Sequence, residues 1–288
     1  MNKRQLNFTN LFADPPPDLI FEISEDAVSM VHRSNPAAVT TQPLAPGVLS
    51  VSPLHDNVLN PDAFAAAVRL LTPVSPKRRR AAVLLPDYCA RLAVLDFDKF
   101  PEKPEEQLAL VKFRMKKTVP FDIEAAAVSY WIQSKDVVVV ATPLEIVSRY
   151  EAPFRAVNLH TGLVTISCLA TLELVEPRGT TVLAKLGARV LTVLVTQNGV
   201  VKLVRSLELL EATAAEVAAD LFPTLAYIED HLGAPADKVV LCDFDAFGQD
   251  MKEHLAAHLS AELGIPVEQL ASRNSGLVGY LKSQLVTA

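Results

Sequence analysis

The stretch "LIFEISEDAVSMVHR" (Leu19–Arg33) decides how the chain is read. Two apolar runs flank Ser24, Glu25 and Asp26, so the stretch predicts a strand, a tight turn and a second strand. A phosphate-binding hairpin would use such a turn, but it would offer backbone amides and positive potential there. This turn offers carboxylates. Either the hairpin has lost a ligand, or it never had one.

Working outward, the same order of elements occurs twice. After the first hairpin, Ala37–Gln42 predicts a third strand and "NPDAFAAAVRLL" a helix. Asn60 is its N-cap, Pro61 its first residue, and Phe64, Ala67, Val68 and Leu71 share its buried face. "RRAAVLLP" is a buried strand stopped by Pro86. In the second half, "TTVLAKLG", "RVLTVLVT" and "VVKLVRSLEL" predict three strands, the last two joined at Asn198-Gly199, a hairpin signal. Thr213 and Glu216 fit a capping box ahead of a helix bearing Val217, Leu221, Leu225 and Ile228, in which Pro223 predicts a kink or a late start. "DKVVLCDF" is a buried strand. A last helix carries Phe247, Met251, Leu255 and Leu259, closed by Gly264 and Pro266.

Between the repeats lies a segment of different pattern. "PEEQLALVKFRMKKTV" predicts a helix with Leu108, Val111, Met115 and Val119 on one stripe, stopped by Pro120. "AAAVSYWIQ" and "DVVVVAT" predict strands, and "PLEIVSRYEAPFRAV" a helix whose end Pro153 obscures.

The chain has 288 residues and a formal net charge of −6, which argues against a general nucleic-acid binder. Cys89, Cys168 and Cys242 are far apart, so neither a zinc knuckle nor a disulfide framework is expected. The opening residues lack the apolar core of a secretory signal, and Pro15–Pro17 suggest an extended leader over residues 1–18. With no apolar run of about 18 residues, no membrane span is expected and the location is read as cytoplasmic.

The succession of motifs resembles the type IV pilus assembly protein PilM family. "FRMKKTVPFDIEAAAVSYWI" is similar to the family's helix, "(I/V)PF" turn and strand. "AAVLLPDYCARLAVLDF" resembles its preceding strand pair, and "VVVVATPLEIVSRYEAPFRAVNL" its following strand and helix. "GTTVLAKLGARVLTVLVTQNGVVKLVRSLEL" resembles its second phosphate hairpin. The resemblance covers about Leu19 to Leu270. It implies an α/β actin-like (ribonuclease H-like) duplicated fold, two halves around a cleft, with an inserted FtsA/PilM-type subdomain. The implied boundaries are residues 19–88 with about 158–180 for the first half, 89–157 for the insert and 181–288 for the second half. It also implies a cytoplasmic component that grips the tail of a PilN-like inner-membrane protein beside the insert, with self-association into a ring as a further possibility. Val119, Pro120, Phe121 and Trp131 are the candidate walls of that groove.

The family's nucleotide motifs depart from pattern at all three places. In the first loop Glu22 stands for the acid, Ser24 for the glycine, Glu25 and Asp26 enter the turn, and Ser29 stands for the lysine. In the second, Gly187 remains, but Lys185 stands for the magnesium-orienting acid, with Arg189 in the turn. In the adenosine motif, Cys242, Asp243 and Phe244 stand where glycines belong. Carboxylates repel a triphosphate and side chains fill the space of a base, so the expectation is a degenerate site, no cofactor and no catalysis. The opposite charges of the two hairpins suggest that direct ion pairs replace the ligand. An active PilM-class ATPase, a GspL-like cytoplasmic domain of type II secretion and an unrelated α/β binding module are the alternatives.

Other clusters read as ordinary surface. His254 and His258 have zinc spacing but no third ligand, Lys77–Arg80 is a solvated connection, and Asp96 with Asp98 and Glu253 with Glu262 are surface carboxylates. Lys112, Arg114, Lys116 and Lys117 would suit a membrane surface, but their helix more readily packs its stripe on neighbouring strands.

Overall fold

The computed structural model describes residues 16–133, 135–244, 249–270 and 273–286, with only the backbone of 249–254 and 285–286. Most of the expected leader, and Phe247 of the last helix, lie outside the described residues. The chain divides into two compact units, Met1–Leu169 and Ala170–Ala288.

The first unit opens with β1 (Leu19–Ile23), β2 (Ala27–His32) and β3 (Asn35–Pro43), then α1 (Pro61–Leu71) and β4 (Arg79–Leu85). All five residues of β1 are buried, as a central strand covered on both faces requires. Asn60 caps α1 by accepting the Ala63 N–H at 3.1 Å, and Phe64, Ala67, Val68 and Leu71 are buried as the spacing predicts. There follow β5 (Arg91–Asp96), α2 (Pro104–Met115), β6 (Ala126–Gln133), β7 (Asp136–Pro143), α3 (Leu144–Ala156) and β8 (Leu159–Ile166). The main sheet has the order β3-β2-β1-β4-β8, antiparallel across β3-β2-β1 and parallel across β1-β4-β8.

Strands β5, β7 and β6 form a separate antiparallel sheet with α2 on one face. Leu95, Val111, Met115, Ile123, Ala126, Val137, Val139 and Ala141 are its core. Helix α2 stops at Met115, four residues before the expected end, because the Thr118 and Val119 N–H groups turn back onto the Met115 carbonyl. Helix α3 was grouped from sequence with this insert, but its large side chains pack toward the main sheet. Phe154 meets Phe21 edge-on at 4.9 Å, and Tyr150 meets Phe64 at 6.1 Å. The Tyr150 hydroxyl donates to Asn57 Oδ1, and Arg149 pairs with Asp56 at 2.8 Å, which ties the loop before α1 to α3.

The short helix α4 (Ser167–Thr171) spans the division between the units. The second unit contains β9 (Thr180–Gly187), β10 (Val190–Gln197), β11 (Val200–Glu208), α5 (Ala214–Leu232), β12 (Lys238–Cys242), α6 (Gln249–Leu263), β13 (Val267–Gln269) and α7 (Ser275–Val286). Its sheet has the order β11-β10-β9-β12-β13, with the same parallel and antiparallel pattern as the first. The repeat inferred from element order is thus a repeat of topology. Asn198 and Gly199 both take positive φ, 49° and 83°, as the β10–β11 turn demands. Helix α5 runs unbroken through Pro223, which is exposed. Its start is the expected capping box: Thr213 accepts the Glu216 N–H, and the Glu216 carboxylate accepts those of Leu210, Glu211 and Ala212. Helix α7 packs on residues 170–174 through Gly279, where a Cβ would lie 2.0 Å from the Ala170 carbonyl oxygen. This contact binds 170–174 to the second unit, earlier than the boundary near 180 drawn from sequence.

Candidate functional site

The first candidate loop is the β1–β2 turn. The Ser24 N–H donates to the Ala27 carbonyl at 2.9 Å, and the Ala27 N–H donates back to Ser24 Oγ at 3.1 Å. Ser24 Oγ in turn lies 2.6 Å from Asp26 Oδ1. Serine and aspartate at these positions close a turn through their side chains, which is why the sequence folds this way without glycine. The Glu25 carboxylate accepts the Val51 N–H at 3.1 Å. Glu22 is buried at the end of β1 and accepts from the Ser167 hydroxyl at the start of α4. Nearby, Asp87 follows β4 and accepts the Cys168 N–H at 2.7 Å. Both carboxylates therefore hold the start of α4. Ser29, on β2, meets Thr41 Oγ1 at 2.8 Å.

The second candidate loop is the β9–β10 turn. Gly187 pairs with Val190, and the left-handed residue is Ala188, with φ 50°. A Cβ at Gly187 would meet nothing within 4 Å, so the hairpin itself does not require glycine there. The Arg189 guanidinium donates to the Leu210 carbonyl, and the Leu209 N–H donates to the Arg189 carbonyl at 2.7 Å.

The third candidate stretch follows β12. Cys242 is fully buried, and Phe244 enters the core of the second unit with Leu221, Val239 and Leu255. Asp243 takes φ 59°, a left-handed conformation that glycine or aspartate accepts more readily than most residues. Its Oδ1 accepts the Ser275 N–H at 2.9 Å and its Oδ2 the Ser275 hydroxyl at 2.6 Å. Lys185 Nζ, buried on β9, lies 3.5 Å from the same Oδ2. Ser275 Oγ is also 3.0 Å from Thr171 Oγ1. The structure thus brings Lys185, Asp243, Ser275 and Thr171 into one polar network, with a carboxylate at the N-terminus of α7, where the helix dipole favours an anion. Sequence reasoning missed Ser275. Its only signal was Asn274-Ser275 ahead of an apolar run, a helix-start cue.

Within their own units, then, Glu22, Glu25, Asp26, Lys185 and Arg189 all have partners. Their charges are not held in reserve for a ligand alone.

The four groove candidates do not share one surface. Val119 and Phe121 pack half-buried against the α2 side of the three-stranded sheet, and Pro120 is exposed. Trp131 alternates with Tyr130, which faces α2, so its ring lies on the opposite sheet face, level with Val138 and Val94 across the register. Its indole Nε1 is buried with no acceptor among the described residues. His258 pairs with Glu262 at 3.2 Å; the His254 side chain lies outside the described residues. Asp96 pairs with Arg114 at 3.6 Å. Arg79 and Arg80 belong to β4 rather than to a loose connection. Among the described residues, no three His, Cys, Asp or Glu side chains gather, and no helix is long and apolar enough to cross a membrane.

No family model and no curated protein matches this chain. Solved structures do. A structure described as the PilM–PilN type IV pilus biogenesis complex aligns over 89% of this chain and 89% of its own, with TM-score 0.69 and 21% identity. A Bacteroides thetaiotaomicron protein with an actin-like ATPase fold aligns over 94% of this chain and 98% of its own, with TM-score 0.56 and 13% identity. The fold is actin-like. The cytoplasmic domain of EpsL, an inner-membrane component of the Vibrio cholerae type II secretion system, aligns over 94% of both chains, with TM-score 0.53 and 11% identity. At these identities the likeness carries the architecture, and the chemistry rests on this chain's own residues.

Proposed function

We propose that this chain is a cytoplasmic, non-hydrolysing scaffold of a type IV pilus assembly platform, bound to the inner membrane through the tail of a PilN-like protein. The observation that carries the reading is the alignment with the PilM–PilN structure over nearly nine-tenths of each chain. The three-stranded unit is the proposed tail-binding region. Trp131 is its principal contact, because its half-buried ring lies on the sheet face away from α2 and leaves part of its surface open to a partner. Val119, Pro120 and Phe121 support the unit from the α2 side. The likeness to EpsL favours a second reading, a component of a type II secretion platform.

The non-hydrolysing part rests on three local features. Ser24 and Asp26 close the first turn with side chains, carboxylates crowd it, and Asp243 already occupies the N-terminus of α7. A triphosphate would meet negative charge and amides that are already engaged.

Thermal denaturation with ATP and magnesium tests this part. A ligand with a dissociation constant near 10 µM, present at about 1 mM, stabilises its protein by ~2.7 kcal/mol. With an unfolding entropy of ~2.1 cal/mol/K per residue over this length, the melting temperature would rise by about 4–5 °C. The expected shift is below 1 °C (roughly 0.6 kcal/mol). A rise of several degrees, abolished by EDTA, would restore the active-ATPase reading.

A further inference from the structure

We propose that the basic end of the first unit docks directly on an anionic lipid surface. This contact goes beyond the tail-binding reading and does not depend on it. The surface forms where α1 ends and β4 and β8 begin. Arg79 opens β4 opposite Leu159 of β8, and its N–H donates to the Asn158 carbonyl at 3.4 Å, just past the end of α3. The C-termini of α1 and α3 therefore reach the same end of the sheet. The β1–β2 turn and the three-stranded unit follow the other ends of β1 and β4.

Between Asp62 and Asp87 the sequence carries Arg69, Lys77, Arg78, Arg79 and Arg80 and no carboxylate. Two aliphatic side chains stand among them: Leu70 is 74% accessible and Val74 is fully exposed. Single exposed aliphatics are ordinary. Here Arg69, Lys77 and Arg78 flank them, all exposed. Side-chain bonds fix the shape of the loop. Thr72 Oγ1 donates to the Val68 carbonyl at 2.7 Å where α1 ends, and the Arg79 guanidinium donates to the Pro73 carbonyl. Ser75 Oγ donates to the Lys77 carbonyl at 3.1 Å and accepts the Lys77 N–H at 3.2 Å. Val74 is thus presented outward between Pro73 and Pro76.

The charge at this end also points outward. Among the described residues Arg69 and Lys77 have no ion-pair partner, and Arg78 meets only the His160 ring, at 3.4 Å. Arg79 is spent on the loop, and Arg80 is half-buried. Neighbouring carboxylates of the first unit are each matched: Asp18 by Arg33 at 4.0 Å, Glu151 by Arg155 at 3.1 Å and, further along α3, Asp56 by Arg149 at 2.8 Å. Aliphatic tips ringed by cations suit an anionic bilayer, where the tips enter the headgroup layer and the cations meet lipid phosphates. Nucleic acid is the weaker occupant, because Arg69 to Arg80 contains no aromatic ring for a base to stack on. The whole chain carries −6, so an anionic surface attracts this end and repels the rest, which favours one orientation.

The test is co-sedimentation of the purified full chain, with no partner protein, with vesicles of phosphatidylglycerol and phosphatidylethanolamine in equal parts. Half-maximal binding is expected at about 1 mM accessible lipid. About 0.5 M salt should weaken it at least ~10-fold, and phosphatidylcholine vesicles should not bind. Lys77→Glu with Arg78→Glu should weaken binding at least ~10-fold, and Leu70→Ser with Val74→Ser at least ~3-fold. All four side chains are exposed, and circular dichroism checks folding; the salt and lipid comparisons need no variant. No binding at about 5 mM lipid overturns the proposal. So does equal binding to phosphatidylcholine, or either double variant binding like wild type. Tighter binding to a single-stranded RNA oligonucleotide, lost with the cations and kept with the serines, also overturns it. Because no PilN-like protein is present, failure here leaves the tail-binding reading standing, and failure of that reading leaves this one.

Discussion

Replacing Gly279 with alanine sets two effects of opposite sign against each other. In an isolated helix the change should stabilise by about 0.8–1 kcal/mol, because glycine is the poorer helix former. In this structure the added methyl would sit 2.0 Å from the Ala170 carbonyl oxygen and 3.1 Å from Thr171 Cα. Both are backbone atoms, so no rotamer change relieves the overlap. Helix α7 must retreat by roughly 1 Å, which loosens Leu277 and Tyr280, both buried, and lengthens the bonds from Ser275 to Asp243. Overpacking against backbone, less the propensity gain, gives a net loss of about 2–4 kcal/mol. Urea denaturation followed by circular dichroism reads it directly. Gly162→Ala on β8 is the control: a Cβ there meets nothing within 4 Å, and the change should stay within about 0.5 kcal/mol. If Gly279→Ala is neutral or stabilising, the close packing of α7 on residues 170–174 is wrong, and with it the placement of Ser275 against Asp243.

Two further substitutions probe the link between α3 and the loop before α1. Tyr150→Phe removes the buried donor to Asn57 Oδ1 and should cost about 1–2 kcal/mol in the same denaturation assay, with faster amide exchange at Ser52, whose N–H also bonds Asn57. An unchanged midpoint would show that this hydroxyl is indifferent to Asn57. The hydrogen bond from Arg149 holds the Asp56 carboxyl below its ordinary 3.8. A depressed folded pKa contributes stability that is present above the unfolded value and lost as pH falls through the folded one. Asp56→Asn should therefore be less stable than wild type at neutral pH, and the gap should close below about pH 4. A gap unchanged at pH 3 would contradict the pairing.

Legibility in the sequence followed periodicity and capping. Helix α1 was readable because Asn60, Pro61 and the Phe64–Leu71 stripe all agree. The β10–β11 turn was readable because Asn-Gly is a local solution to positive φ. Strand β8 was overlooked: His160 and Gly162 interrupt its alternation, and it is held by register with β4 rather than by its own pattern. Helix α7 was hidden by Gly276 and Gly279, which read as breakers, although Gly279 is there for close approach. At the candidate site, residue identities were legible and their partners were not. The string "LCDFDA" reveals an aspartate in a glycine position, but only the fold shows that it reaches Ser275, 32 residues away, and Lys185 on a neighbouring strand. Likewise Trp131 and Phe121 are near in sequence, yet strand alternation sends Trp131 to the sheet face away from α2.

On the proposed function, this chain binds the tail of a PilN-like protein without nucleotide. Isothermal titration of the purified full chain with a synthetic N-terminal tail of a PilN-like protein from the same genome, with and without ATP and magnesium, tests this. The expected result is a micromolar dissociation constant, equal within about twofold in both conditions, and weakened at least ~10-fold by Trp131→Ala while circular dichroism stays unchanged. Binding that requires ATP, or no binding of the tail at about 1 mM, would contradict it.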